Sequence, residues 1–206
     1  MTLWRLWILA SGSLLAACAT TPITVSPTST TIAPPSSGGA IVVPRSGDLG
    51  KASVQPVTGD SGRCAVYLAE VRDTRPDTSS LGMMGRRAVL ASDSVAWLRS
   101  ALDVLKQDRR LRFVDGEKDA VFVLRVELVK AYIMAITTQK SSSVVLRVSY
   151  SRDGKDLDPQ ILRGRDTGGN WAFGEEETQG SLNRALSAAV SELDNDIVAH
   201  CHDAEK

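Results

Sequence analysis

The chain has 206 residues, with 24 Lys and Arg against 24 Asp and Glu, so its formal charge at neutral pH is zero. Without a basic excess there is nothing to neutralise a run of phosphates, which excludes a general nucleic-acid-binding protein. The length fits one domain of ordinary size plus a tail.

Met1 to Arg5 is a weakly positive start, and Leu6 to Ala17 is a 12-residue apolar stretch interrupted by Ser11, Gly12 and Ser13. A spanning helix needs about 20 apolar residues, so this run has the layout of a secretory signal. The tetrapeptide that closes it, Leu15-Ala16-Ala17-Cys18, resembles the lipobox of bacterial lipoproteins. The resemblance implies cleavage before Cys18 and lipidation of that cysteine, with palmitate among its acyl chains. Ala19, in place of an aspartate, then implies export to the outer membrane, with the chain lipid-anchored and facing the periplasm. One acyl chain binds a membrane marginally, whereas several hold it stably, at about 0.8 kcal/mol per buried methylene.

Residues 18–60 follow as Thr-, Ser-, Pro-, Gly- and Ala-rich sequence with Arg45, Asp48, Lys51 and Asp60 its charged members. Such a segment cannot bury enough apolar surface to fold and reads as a disordered tether. Its end-to-end distance is about 35 to 40 Å as a coil and about 130 Å if drawn into polyproline II. Ala40-Ile41-Val42-Val43-Pro44 interrupts it and reads as a sticky piece of linker, with an edge strand or a docking strip as the alternatives.

Residues 61–206 have the composition of a folded domain. Cys64 to Val71 is an apolar strand halted by Arg72-Asp73-Thr74-Arg75-Pro76-Asp77, where Pro76 restricts Arg75 and Asp73 can cap a turn. After the Gly-rich Leu81 to Arg87, Val95, Leu98, Leu102 and Leu105 recur at helical spacing, widened by Trp97 and Ala101, with Ser92 as N-cap. Leu111 to Val114 reads as a short strand. Phe122, Leu124, Val126 and Leu128 share one face of a longer strand, and Val144, Leu146, Val148 and Tyr150 one face of the next, which Asp153-Gly154 ends. Gln160 to Asp166 is a third, weaker strand. A last helix carries Leu182, Leu186, Ala189, Val190, Leu193 and Ile197 on one side, with Glu175, Glu176 and Glu177 complementing its dipole.

This order predicts an α+β domain: a mostly antiparallel sheet of four to five strands with two amphipathic helices packed on one face. The other face then shows Arg125, Glu127, Arg147 and Ser149, with Arg163 or Arg165, to water or to a partner. Arg125 and Arg147 on neighbouring strands suit an anionic group, and Glu127 balances them as part of a solvated face. Gly164 to Trp171 reads as a turn with Trp171 against the domain edge, or as a contact for a sugar or glycan strand.

With Cys18 assigned to lipid, Cys64 and Cys201 form a candidate disulfide in a compartment that permits one, closing a long loop; two unpaired thiols are the alternative. The chain lacks GxSxG, HExxH, Walker and dinucleotide-binding motifs. His200, Cys201 and His202 read as a frayed terminus rather than a metal site. No catalytic residue, cofactor or metal is expected.

Residues 63–200 look like the YajG family of bacterial lipoproteins. The likeness rests on the strand ending in Val71 to Asp77, the following Leu81-Gly82, the helix from Ser92 to Lys106, Asp119 to Leu124 opening a long strand, the lipobox and the C-terminal helix. It implies a periplasm-facing, lipid-anchored α/β domain without an assigned active site. The expected function is a non-enzymatic outer-membrane lipoprotein that binds an envelope protein or glycan. The alternatives are an activator of a peptidoglycan synthase, with the architecture of the LpoB type, and an accessory to lipopolysaccharide or envelope assembly.

Overall fold

The computed structural model describes residues 40–43, 64–107, 110–171 and 174–204. The expected signal segment, Cys18 and the rest of the expected tether lie outside them. In chain order the elements are β1 (Ile41–Val42), β2 (Cys64–Asp73), β3 (Ser80–Met84), β4 (Arg87–Leu90), α1 (Ser94–Leu102), β5 (Leu111–Phe113), β6 (Phe122–Ile136), β7 (Gln139–Arg152), β8 (Lys155–Asp156), β9 (Gln160–Gly169) and α2 (Glu175–Ala204). A short 3-10 segment extends α1 over Asp103–Gln107.

Strand β6 is the hub of the sheet. Along one edge it pairs in parallel with β2 over Phe122–Leu128 and with β3 over Ile133–Ala135. Beyond them, β5 adds parallel to β2, β4 antiparallel to β3, and β1 parallel to β4. Along its other edge β6 pairs antiparallel with β7, which carries β8 and β9. Among the described residues the sheet is therefore mixed and nine-stranded. This corrects the expectation of four to five mostly antiparallel strands. Parallel pairs need crossover connections, so they join residues far apart in sequence and leave no mark in the turns.

Both helices cover one face. Phe122, Leu124, Val126 and Leu128 of β6 and Val144, Leu146, Val148 and Tyr150 of β7 are buried beneath them. From α2 the core receives Leu182, Ala185, Leu186, Ala189, Val190, Leu193 and Ile197, and from α1 it receives Trp97, Leu98, Ala101 and Leu102. The N-cap of α1 is Asp93 rather than Ser92, its side chain accepting from Ala96 N at 2.8 Å. Trp97 Nε1 donates to Asn183 Oδ1 at 2.9 Å, joining the two helices through a buried hydrogen bond. Where α2 crosses β9 there is no room for a side chain: a Cβ on Gly164 would lie 1.8 Å from Ala185 O. Small residues on both elements bring helix and strand backbone together.

Residues 40–43 correct the reading of that patch as linker. Val43 N donates to Leu90 O at 2.7 Å and Ser92 N to Val43 O at 3.1 Å, while Ile41 and Val43 are buried. The apolar patch is an edge strand of the domain. The Gly-rich Leu81 to Arg87, which the sequence leaves unassigned, forms the turn end of the β3–β4 hairpin. Gly82, at φ +112, lets β3 lie against β6, where a Cβ would sit 2.0 Å from Ile133 O.

Cys64 at the start of β2 and Cys201 near the end of α2 are disulfide-bonded, with Cα atoms 5.9 Å apart across 137 residues of sequence. The expected frayed terminus is instead helical to Ala204. His200 stacks on Tyr150 with ring centroids 4.4 Å apart.

Candidate interaction surface

The open face of the sheet is built by the register of β6, β7 and β9. Across β6 and β7, Arg125 lies opposite Ser149, Glu127 opposite Arg147, Lys130 opposite Val145, Tyr132 opposite Ser143 and Met134 opposite Ser141. On the far side of β7, Arg147 pairs with Ile161, Val145 with Arg163, Ser143 with Arg165 and Ser141 with Thr167. The face grades from charged at one end to apolar at the other.

At the charged end the structure brings Arg125 and Arg147 onto neighbouring strands, as their positions predict. Both already have acidic partners: Arg147 Nη1 lies 3.1 Å from Glu127 Oε2, and Arg125 Nη1 lies 3.6 Å from Asp156 Oδ1. Exposed pairs of this kind contribute about 0 to 1 kcal/mol each. Their main effect is to balance the charge of this part of the face.

Trp171 lies at the other end, away from the two arginines. Strand β9 runs on to Gly169, so the segment expected to turn at Gly164 is extended chain, and Trp171 is 89% exposed rather than packed against the domain edge. Around it gather Met134 (45% exposed) and Ile136 (62%) from the end of β6, with Tyr132 and Met83 beyond. Thr137 to Ser141 from the hairpin, Thr167 to Gly169 from β9, Met134, Ile136 and Trp171 line a groove of about 780 Å³. Sequence reasoning missed Tyr132, Met134 and Ile136. The ladder shifts register between Leu128 and Lys130, which moves the buried positions from even to odd numbers.

Hydrogen bonds fix the tip to the rest of the domain. Lys140, 8% exposed, donates to Glu177 Oε1 at 2.5 Å and to the Gly169 carbonyl. Glu177 Oε1 also accepts from the Trp171 backbone N–H at 3.1 Å. Asn170 N donates to Thr138 O at 2.8 Å and Asn170 Nδ2 to Thr137 O at 3.2 Å, while its Oδ1 is buried without a partner. Close by, Asp166 accepts from Ser181 Oγ at 2.7 Å and from Arg184 Nε at 2.9 Å. Burial pushes the Asp166 carboxyl up, but Arg184, Ser181 and the charge of Lys140 outweigh it and hold it below the usual carboxylate value. Beneath the sheet, burial and then the Asp196 carboxylate raise the Tyr150 hydroxyl well above its ordinary value, so it stays a neutral donor to Asp196.

The Arg75 segment is structural. Arg75 is buried (6% exposed), and its guanidinium donates to Asp73, to Thr78 O and Ser80 O at 2.9 Å each, and to Ser94 Oγ at 2.8 Å. The residues that carry the sequence resemblance thus tie the end of β2 to the start of β3 and of α1. Among the described residues no cluster of three His, Cys, Asp or Glu side chains could hold a metal ion, and no helix is long and apolar enough to cross a membrane.

The fold recurs in a solved structure. Protein XCC0632 from Xanthomonas campestris, of the family DUF330, is 9% identical and matches 74% of this chain and 95% of its own length, at a TM-score of 0.53. That likeness shows a common fold. A minor lipoprotein from Acinetobacter baumannii is 14% identical over 64% of this chain and 93% of its own, and the rare lipoprotein B from Shewanella oneidensis is 10% identical over 65% and 96%. Both have TM-scores of 0.40, a partial likeness that carries no inference. No family model matches the chain, and no curated relative does either, so the YajG resemblance stands on the motif residues alone.

The fold thus offers two different surfaces. One is a charge-compensated arginine face, and the other is an apolar and hydroxyl-lined groove at the hairpin tip, tied to the domain through Lys140, Asn170 and Glu177.

Proposed function

We propose that this chain is a lipid-anchored lipoprotein of the bacterial outer membrane whose periplasmic head is a non-catalytic binding module. The observation that carries the reading is Leu15-Ala16-Ala17-Cys18 at the end of a short apolar run. The Cys64–Cys201 disulfide supports it, because such bonds persist in oxidising compartments such as the periplasm. The groove at the hairpin tip supports the binding role, since exposed apolar side chains held by a rigid frame are what an interaction surface needs. Membership of the YajG family belongs to the same proposal.

Among envelope partners, a peptidoglycan synthase fits the long tether. An anionic glycolipid bound by Arg125 and Arg147 fits less well, because both arginines already have acidic partners on the domain. Crosslinking in intact cells, with wild type compared with Cys18→Ala, tests the proposal. The wild type is expected to carry acyl chains on Cys18, to fractionate with the outer membrane and to capture an envelope component through residues 64–204. An unacylated wild type, or one found in the cytoplasm, would overturn it.

A further inference from the structure

We infer that the groove at the hairpin tip binds a neutral glycan strand, with the Trp171 indole as the platform for one sugar ring. The inference names a ligand class for the proposed binding module and rests on that proposal. A groove of about 780 Å³ is within the usual range for a ligand site.

Trp171 is placed as a platform. Its backbone N–H is held by Glu177 Oε1 at 3.1 Å. Its indole lies against Gly169, where a Cβ would stand 2.7 Å from Trp171 Nε1, so a side chain at 169 would displace the ring. The ring is nonetheless 89% exposed. An exposed indole retained in this way presents an apolar plane edged by one N–H donor, which matches the C–H face and hydroxyl rim of a pyranose.

The lining supplies the rest. Thr137, Thr138, Gln139, Ser141 and Thr167 offer hydroxyls and an amide that both donate and accept. Lys140 is the cation among the lining residues, and it is buried and paired with Glu177. With that charge satisfied inside the domain, an anionic headgroup finds no counter-charge in the lining, and an acyl chain would leave the hydroxyls and Gln139 unmatched. A neutral polyhydroxylated ligand fits both. Met134 and Ile136 add an apolar wall suited to acetyl methyl groups, which favours N-acetylhexosamine units over a plain glucan.

The test is calorimetric titration of the full chain, purified in detergent, with an N-acetylglucosamine hexamer, alongside a glucose hexamer and vesicles of anionic phospholipid. Trp97, the other tryptophan beyond the signal segment, is fully buried, so the wild type minus Trp171→Ala difference in fluorescence reports the groove. The acetylated hexamer is expected to bind and shift that signal. Trp171→Phe should retain most of the affinity, and Trp171→Ala should lose on the order of tenfold while its circular dichroism is unchanged. Equal affinity of wild type and Trp171→Ala, or binding of vesicles but not of either saccharide, would each overturn the inference, and a preference for the glucose hexamer would overturn its assignment to N-acetylhexosamine units. A photocrosslinker placed at Gln139 separates the two levels. Capture of an envelope protein without saccharide binding removes the glycan and leaves the binding module standing, whereas neither result removes both.

Discussion

The guanidinium of Arg75 is buried against the carboxylate of Asp73, two residues earlier in the chain, with Nη2 2.7 Å from Oδ2. Both side chains are below 10% exposed, at 3% and 9%. Removing one partner strands the other in a poorly solvated site, together with the Thr78 and Ser80 carbonyls that the guanidinium now satisfies. Arg75→Met is therefore expected to cost about 3 to 5 kcal/mol. In urea denaturation the Asp73→Asn/Arg75→Met pair should cost less than the sum of the singles. A loss below about 1 kcal/mol for Arg75→Met would place the segment outside the stabilising frame.

The Cys64–Cys201 bond closes the domain from its first long strand to its last helix, 137 residues apart. Restricting the unfolded chain over so long a loop is expected to contribute about 2 to 5 kcal/mol. Reducing the wild type should lower its unfolding midpoint to that of Cys64→Ser/Cys201→Ser, and the double variant should not respond to reductant. Free thiols at both positions in protein isolated without reductant would refute the pairing.

Gly164 and Gly168 lie on the same strand and make a matched pair of tests. A Cβ at Gly164 meets Ala185 O at 1.8 Å and Ala189 N at 2.6 Å, whereas at Gly168 it meets nothing within 4 Å. Gly164→Ala must lift α2 from β9 and should cost about 1 to 3 kcal/mol. Gly168→Ala should stay within about 0.5 kcal/mol of wild type. Similar losses from both would mean that α2 does not seat on β9 as described.

Sequence patterns were most readable where one period governed one face. The α2 stripe from Leu182 to Ile197 and the even positions Phe122 to Leu128 are buried as their spacing predicts. Legibility ended where a local irregularity changed the phase. The register shift before Lys130 moved burial to Ala131, Ile133 and Ala135 and turned the equally apolar Tyr132, Met134 and Ile136 outward, hiding the groove. The β3–β4 hairpin was obscured because Gly82 and Gly85, residues of loops in general, here serve positive φ and close contact with β6. Arg125 and Arg147 were placed on the right face, but their pairing with Asp156 and Glu127 depends on side-chain reach that spacing does not encode. The lone Trp171 carried only its aromatic character, and its exposure follows from where β9 ends.

Asp166 predicts an acid-sensitive contact. Although burial opposes it, hydrogen bonds from Arg184 and Ser181 and the charges of Arg184 and Lys140 depress its folded-state pKa below the usual carboxylate value. A depressed carboxylate contributes stability that is present above its unfolded pKa and is lost as pH falls through the folded one. Wild type should therefore lose more stability than Asp166→Asn on acidification below about pH 4. Chemical denaturation at a series of pH values measures this, and parallel curves for the two proteins would count against the contact.

Strand β1 predicts a docking contact that opens without unfolding the domain. It has two residues, Ile41–Val42, at the edge of the sheet, and with the neighbouring Val43 it buries Ile41 and Val43. A charge at 43 cannot stay buried unpaired, so Val43→Asp should release this strand while the pairing of β2 to β9 persists. Two adjacent amides report on it. Ser92 N–H donates to Val43 O and should exchange faster in the variant, whereas Ala91 N–H donates to Ser79 O and should stay protected. Residue-resolved hydrogen exchange by NMR separates the outcomes: faster exchange at Ser92 alone means that β1 detaches as a unit, and faster exchange at both means that residues 40–43 are part of what holds β3, β4 and the start of α1 together.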